Sequence, residues 1–102
     1  MGSMTGYYKL VRITDHNDAD KIDESAKNRI GRIFHIERQQ LIFNKRLFLN
    51  CYFPGFHKSI TTSYLLEVGG GGDFPLILKT ENSIYYFKEV MPDLVENNQN
   101  EK

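Results

Sequence analysis

A mainly β domain, a small antiparallel barrel or sandwich with at most one short helix, is the fold this sequence predicts. Three observations carry it. Short runs of aromatic and β-branched residues recur along the chain, and clusters of Gly, Pro, Asn and Asp separate them at close spacing. At 102 residues the chain supports one core and not two. Its 40% apolar content, with six Tyr and seven Phe, provides enough side-chain area to exclude water without disulfides or metals. About 100 residues suits a barrel better than a sandwich.

Met1-Gly2-Ser3-Met4 reads as a cloning remnant ahead of a natural Met4, so residues 1–6 precede the domain. Tyr7 to Thr14 mixes charged with apolar, β-rich positions, as a partly buried first strand does. Asp15 to Asn28 carries five acids and little apolar area. It reads as a surface excursion with one helical turn, Asp18 capping it and Ile22 and Ala26 four apart on one face. Ile30 to Glu37 resumes extended alternation, Ile30, Arg32, Phe34 and Ile36 sharing one side. From Gln40 to Phe53 neither period is clean, and a hairpin turning at Asn44-Lys45-Arg46 accounts for the pattern. Pro54-Gly55 breaks the chain, Ile60 to Val68 is a further strand, and Gly69 to Gly72 end it as a long, mobile tip. Leu76 to Lys79 and Ser83 to Val90 form two strands about a tight turn at Thr80-Glu81-Asn82. The domain spans 7–94, and the polar stretch 95–102 is expected to be disordered.

Several features in this order resemble the Src-homology-3-like small barrels. They are a first strand ending in a long acidic excursion, Ile30-Gly31-Arg32-Ile33-Phe34-His35-Ile36, and a closing Ile84-Tyr85-Tyr86-Phe87 followed by Met91-Pro92-Asp93-Leu94. The glycine-led second strand is similar to the KOW variety. The resemblance implies a binding module whose excursion after the first strand is a mobile recognition loop. It also implies an origin in a bacterial phage or mobile element, where small genes of this layout are frequent. The family's short helical turn precedes the last strand, whereas here Met91-Pro92-Asp93-Leu94 follows it.

Net charge is zero but unevenly spread: residues 1–14, 15–24, 25–59 and 60–102 carry +2, −4, +6 and −4. Such a division either keeps opposite faces solvated or presents a basic middle third to an anionic partner. A single cysteine, Cys51, and no apolar run of membrane length point to a soluble, cytoplasmic protein.

The motifs exclude more than they assign. Asp15-His16-Asn17-Asp18-Ala19-Asp20 has alternating oxygen ligands, but Ala19, Asp20 and Ala26 stand where a calcium loop needs a ligand, a glycine and a glutamate. It reads instead as a solvated loop whose aspartates repel one another and hold it extended. Gly69–Gly72 lacks the Lys and Ser/Thr of a phosphate cradle, and Asp73 and Pro75 oppose one. Cys51 with His35 or His57 supplies the residue types of a thiol nucleophile, yet its apolar flanks make it a core filler. His16, His35 and His57 lie too far apart for a metal motif. No catalytic residue, metal or cofactor is expected.

Phe43 to Lys58 stands apart by interleaving aromatic rings with positive charge, which suits a protein contact, a single-stranded nucleic acid, or a core strand with solvated neighbours. The sequence therefore predicts a non-enzymatic protein-binding module, of the kind by which a phage or mobile element inhibits a host protein. Its contact residues would be Phe53, Phe56, His57, Lys58, Arg46 and Lys45, on an exposed turn about Pro54-Gly55. Asp15, Asp18, Asp20, Asp23 and Glu24 would form an acidic surface imitating nucleic-acid charge. The alternative is a KOW-like nucleic-acid-binding barrel using Arg32, Lys45, Arg46, Phe53, Phe56 and Lys58. No membrane partner is expected.

Overall fold

A computed structural model describes residues 6–53 and 59–91. Six antiparallel strands run in chain order around a closed barrel: β1 (Gly6–Thr14), β2 (Ile33–Ile36), β3 (Arg46–Phe53), β4 (Ser59–Gly71), β5 (Phe74–Thr80) and β6 (Ile84–Val90). Each strand pairs with the next, and β6 returns to β1 with Tyr7 opposite Val90 and Thr14 opposite Ile84. Among the described residues one α-helix, α1 (Glu24–Arg29), lies between β1 and β2, and a 3₁₀ turn (Arg38–Gln40) lies between β2 and β3.

Alternation fills the interior. Leu47, Leu49 and Cys51 of β3, Leu76 and Leu78 of β5, and Tyr85 and Phe87 of β6 all join one buried cluster with Leu10, Phe34 and Ile36. At its centre Phe34 and Phe87 meet edge to face at 6.4 Å, and Tyr8 meets Phe87 likewise, the arrangement that the ring quadrupole favours. Burial, aided by the Glu89 carboxylate, holds the Tyr8 phenol above its ordinary pKa.

Bulges curve the sheet and break the simple period. Leu10 pairs with Phe87 and Arg12 with Tyr86, so Val11 is the extra residue, and Leu10 and Ile13, three apart, both point inward. On β4 an extra residue falls between Thr61 and Tyr64, and the Thr62 hydroxyl accepts the Leu47 amide at 3.2 Å. On β5 the extra residue lies at Pro75-Leu76, facing Gly70. Proline has no amide for the ladder, and Gly70 sits at φ +151, where a Cβ would overlap the Pro75 carbonyl.

Several expectations require correction. The residue at the head of the helix is Asp23, not Asp18, and its side chain makes no capping bond; Ile22 lies outside the helix, 78% exposed, because Asp18 (φ +72) belongs to a turn. The excursion is folded, not extended: the Asp15 amide donates to Ala19 O, Thr14 and Asp20 form a bridge, and Asp15 accepts the Asn17 and Ala19 amides. Three backbone and side-chain bonds outweigh repulsion between carboxylates that water screens. Strand β2 starts at Ile33, because α1 exits through Ile30 and through Gly31 at φ +98, a backbone that L side chains avoid. No strand covers residues 40–43, so the turn at Asn44 (φ +65) closes the long β2–β3 connection. The glycines are not a mobile tip; Gly69 and Gly71 belong to β4 and pair with Ile77 and Phe74 around a tight turn at Gly72-Asp73. The tail 95–102 lies outside the described residues.

Candidate functional site

Several outward positions on β3, β4 and the connection leading into β3 are apolar where water should favour polar groups. Phe48 is 64% exposed and Phe43 55%, with Ile42, Tyr64 and Leu66 also exposed. Hydrogen bonds bring these segments side by side: the Asn44 amide donates to Leu65 O at 2.9 Å and the Leu65 amide to Lys45 O at 3.0 Å. Arg46 pairs with Tyr64 across the strands and lays its guanidinium over that ring, 5.3 Å from the centroid. On the other flank Gln40 donates to Phe48 O at 3.1 Å, fixing the 3₁₀ turn against β3. On β3 the inner face, Leu47, Leu49 and Cys51, is used by the core, while the outer face sets Phe48 in solvent between Arg46 and Asn50. A strip of five exposed apolar residues edged by Lys45 and Arg46 is therefore left facing solvent.

A second surface follows from the bulge in β3. Ile33 pairs with Phe53 but Phe34 with Cys51, so Tyr52 is the extra residue and its ring is re-aimed across the sheet. It packs on Tyr7 at 4.6 Å, and Tyr7 packs on His35 at 5.0 Å. These rings line a groove of about 290 Å³ with Asn50 and Cys51. Farther along β1, Lys9 stands directly opposite Lys88 of β6, both exposed, a like-charge pair that the sheet alone does not favour.

The residues expected from sequence fall unevenly on this map. Lys45 and Arg46 border the apolar strip. Phe53 ends β3 opposite Ile33, while its side chain and Phe56, His57 and Lys58 lie outside the described residues. Arg32 is tied locally, donating to Asn28 O at 2.7 Å with its other arm 3.9 Å from the Cys51 sulfur. Of the five acids, Asp20 pairs with Arg12 at 2.5 Å, Asp18 accepts the Tyr86 hydroxyl at 3.1 Å, and Asp15 holds two backbone amides. Those amides keep the Asp15 pKa below its ordinary value. Asp23 and Glu24 stand exposed where α1 begins.

Cys51 is buried within the core cluster as a small apolar filler. Among the described residues no three His, Cys, Asp or Glu side chains gather to hold a metal, and no helix is long and apolar enough to cross a membrane. No protein-family model, curated protein or solved structure matches the chain.

The sequence reading missed Phe48 and Tyr64 as surface residues. Phe48 lies in a run that satisfies neither period, and within Phe43–Lys58 the sequence leaves it open as core or contact. The signal lay in the stricter alternation of Leu47, Leu49 and Cys51, which takes the inner face and leaves Phe48 outside.

Proposed function

We propose that this protein is a non-enzymatic module that binds another protein through the apolar strip of β3 and β4. The exposure of Phe48 and Tyr64 beside Arg46 carries the reading, because aromatic and arginine side chains dominate the energetics of protein contacts. Lys45 and Arg46 select a partner surface that is apolar at its centre and acidic at its edge. The layout resembling Src-homology-3-like barrels supports the same class of function. Inhibition of a host protein by a phage or mobile element, through occupation of its surface, is the biological setting we attach to it. Charge mimicry by the acidic loop has less support, since Asp15, Asp18 and Asp20 are bonded within the protein.

The test places a photo-crosslinking amino acid at position 48 and, as a control, at position 88 on β6. A partner captured from 48 and not from 88 is then purified and titrated against Phe48→Ala and Arg46→Glu. The expected result is binding weakened about tenfold or more with unfolding unchanged. Equal affinity for the wild type and both variants would overturn the reading, as would capture of only a second copy of the chain.

The ring groove favours a second reading, a nucleic-acid-binding barrel of the KOW-like sort. Tyr7, His35 and Tyr52 offer a stacking surface, and Lys9 with Lys88 offers charge for the backbone. Titration of labelled single-stranded DNA and RNA at low and moderate salt distinguishes the two. Binding that falls steeply with salt and is lost in Tyr7→Ala supports it, and absence of binding at low salt removes it.

A further inference from the structure

Where the β5–β6 turn meets β4, the barrel changes character from apolar to polar. Among the described residues the buried polar ones, Thr14, Thr62, Thr80 and Ser83, lie at this end. The turn is held there by the Glu81 amide donating to Tyr64 O and the Asn82 amide donating to the Ser63 hydroxyl, both at 3.0 Å. Against this rim α1 docks through Ala26, buried in the core cluster. Between them is a basin of about 360 Å³ whose lining includes Lys21, Arg29, Arg46, Thr61, Ser63 and Tyr85.

Three cations from three separate segments thus border one polar cavity, and among the described residues none is ion-paired. Two are held in place by neutral groups. Lys21 donates to Asn82 O at 2.9 Å, and Arg29 donates to the Tyr85 hydroxyl at 3.2 Å. Each bond uses one donor, of three on the lysine and five on the arginine, so most remain available. Glu81 is the one carboxylate in the lining, leaving the basin with a net positive charge. A bound anion would offset the positive charge of this lining, and Lys21 and Arg29, already held by neutral partners, need little reorganisation to receive it.

We propose that this basin binds the phosphate group of a small molecule, a phosphomonoester or a diphosphate. Guanidinium and ammonium groups from three segments around one cavity, with the hydroxyls of Thr61 and Ser63 in the same lining, suit a tetrahedral oxyanion that accepts from several directions better than a planar carboxylate. The volume is at the lower end of ligand cavities, about 300–1,000 Å³, and admits a phosphate with a modest group attached. The basin shares Arg46 with the apolar strip, whereas Lys21 and Arg29 belong to the basin alone.

The experiment is an amide and arginine side-chain NMR titration with pyrophosphate, inorganic phosphate and ribose 5-phosphate, with chloride at matched ionic strength as control. Saturable shifts are expected at Lys21, Arg29, Thr61 to Ser63 and Glu81 to Ser83. Lys21→Ala and Arg46→Ala should each weaken binding about fivefold or more, the loss of one charge-assisted contact. Arg29→Ala tests the central cation. Because it also frees the Tyr85 hydroxyl and could loosen α1, Arg29→Lys is measured beside it, and weaker binding by a folded Lys variant supports the site. Three results would overturn the proposal: no saturable shift up to about 20 mM ligand, shifts reproduced by chloride, or Lys21 and Arg46 variants that titrate like the wild type.

Discussion

Gly70 and Gly71 form a matched pair from which the cost of one backbone contact can be isolated. Both adopt φ +151, so alanine at either position meets the same conformational penalty, of order 1–3 kcal/mol. Their surroundings differ. A Cβ at Gly71 meets nothing within 4 Å, whereas one at Gly70 overlaps the carbonyl of Pro75, which is backbone and cannot rotate away. Relieving that overlap requires the β4 and β5 chains to part at the bulge, at a cost of about 1–3 kcal/mol, as for other overpacked sites. Gly70→Ala should therefore be less stable than Gly71→Ala by at least about 1 kcal/mol. In a domain of this size that is a difference of about 4–8 °C in Tm. Thermal and urea unfolding followed by circular dichroism give both quantities, and an unchanged m value confirms that the denatured states are comparable. If the two variants unfold within about 0.5 kcal/mol of each other, the Pro75 bulge does not require glycine opposite it, and the reasoning fails.

Phe34→Ala, at a fully buried position, should lose about 3–5 kcal/mol of stability. Phe48→Ala should lose less than about 1 kcal/mol, since only a third of that ring leaves water on folding; comparable losses in chemical unfolding would refute the exposed strip. The folded pKa of Asp15 lies below its ordinary value, so its stabilisation is complete above that value and is lost as pH falls through the folded pKa. Tm measured from pH 6 to 2 should accordingly fall more steeply below about pH 4 in the wild type than in Asp15→Asn. Cys51, 1% exposed, should react with a thiol reagent only as fast as the domain opens, so labelling should accelerate with denaturant; immediate native-state labelling would contradict its burial.

The parts of the fold that sequence makes legible are those where one face is apolar and the period is unbroken. In β6 Tyr85 and Phe87 alternate with more exposed positions, and β1 and β4 declare themselves through β-branched and aromatic runs. What sequence hides is set by bulges and long connections. Val11 shifts β1 by one residue, Tyr52 is turned out of β3 by its bulge, and residues 41–43 carry apolar side chains without forming a strand. Local composition cannot show these, because each depends on what the neighbouring strand presents. The polar basin is hidden for the same reason: Lys21, Arg29 and Arg46, far apart in sequence, border one cavity only through the packing of α1 beside the β5–β6 turn.

Ring closure between β1 and β6 also constrains how this chain is born. Asp18 and its partner Tyr86 are 68 positions apart, and the β1–β6 ladder spans similar separations. At about 5–20 residues per second, a ribosome needs about 3–14 s to travel that distance. Throughout that interval Leu10 and Ile13 have no β6 to cover them. Until β6 emerges, the β1 edge that pairs with it is open and its apolar face uncovered, the condition under which nascent strands pair with neighbouring polypeptides.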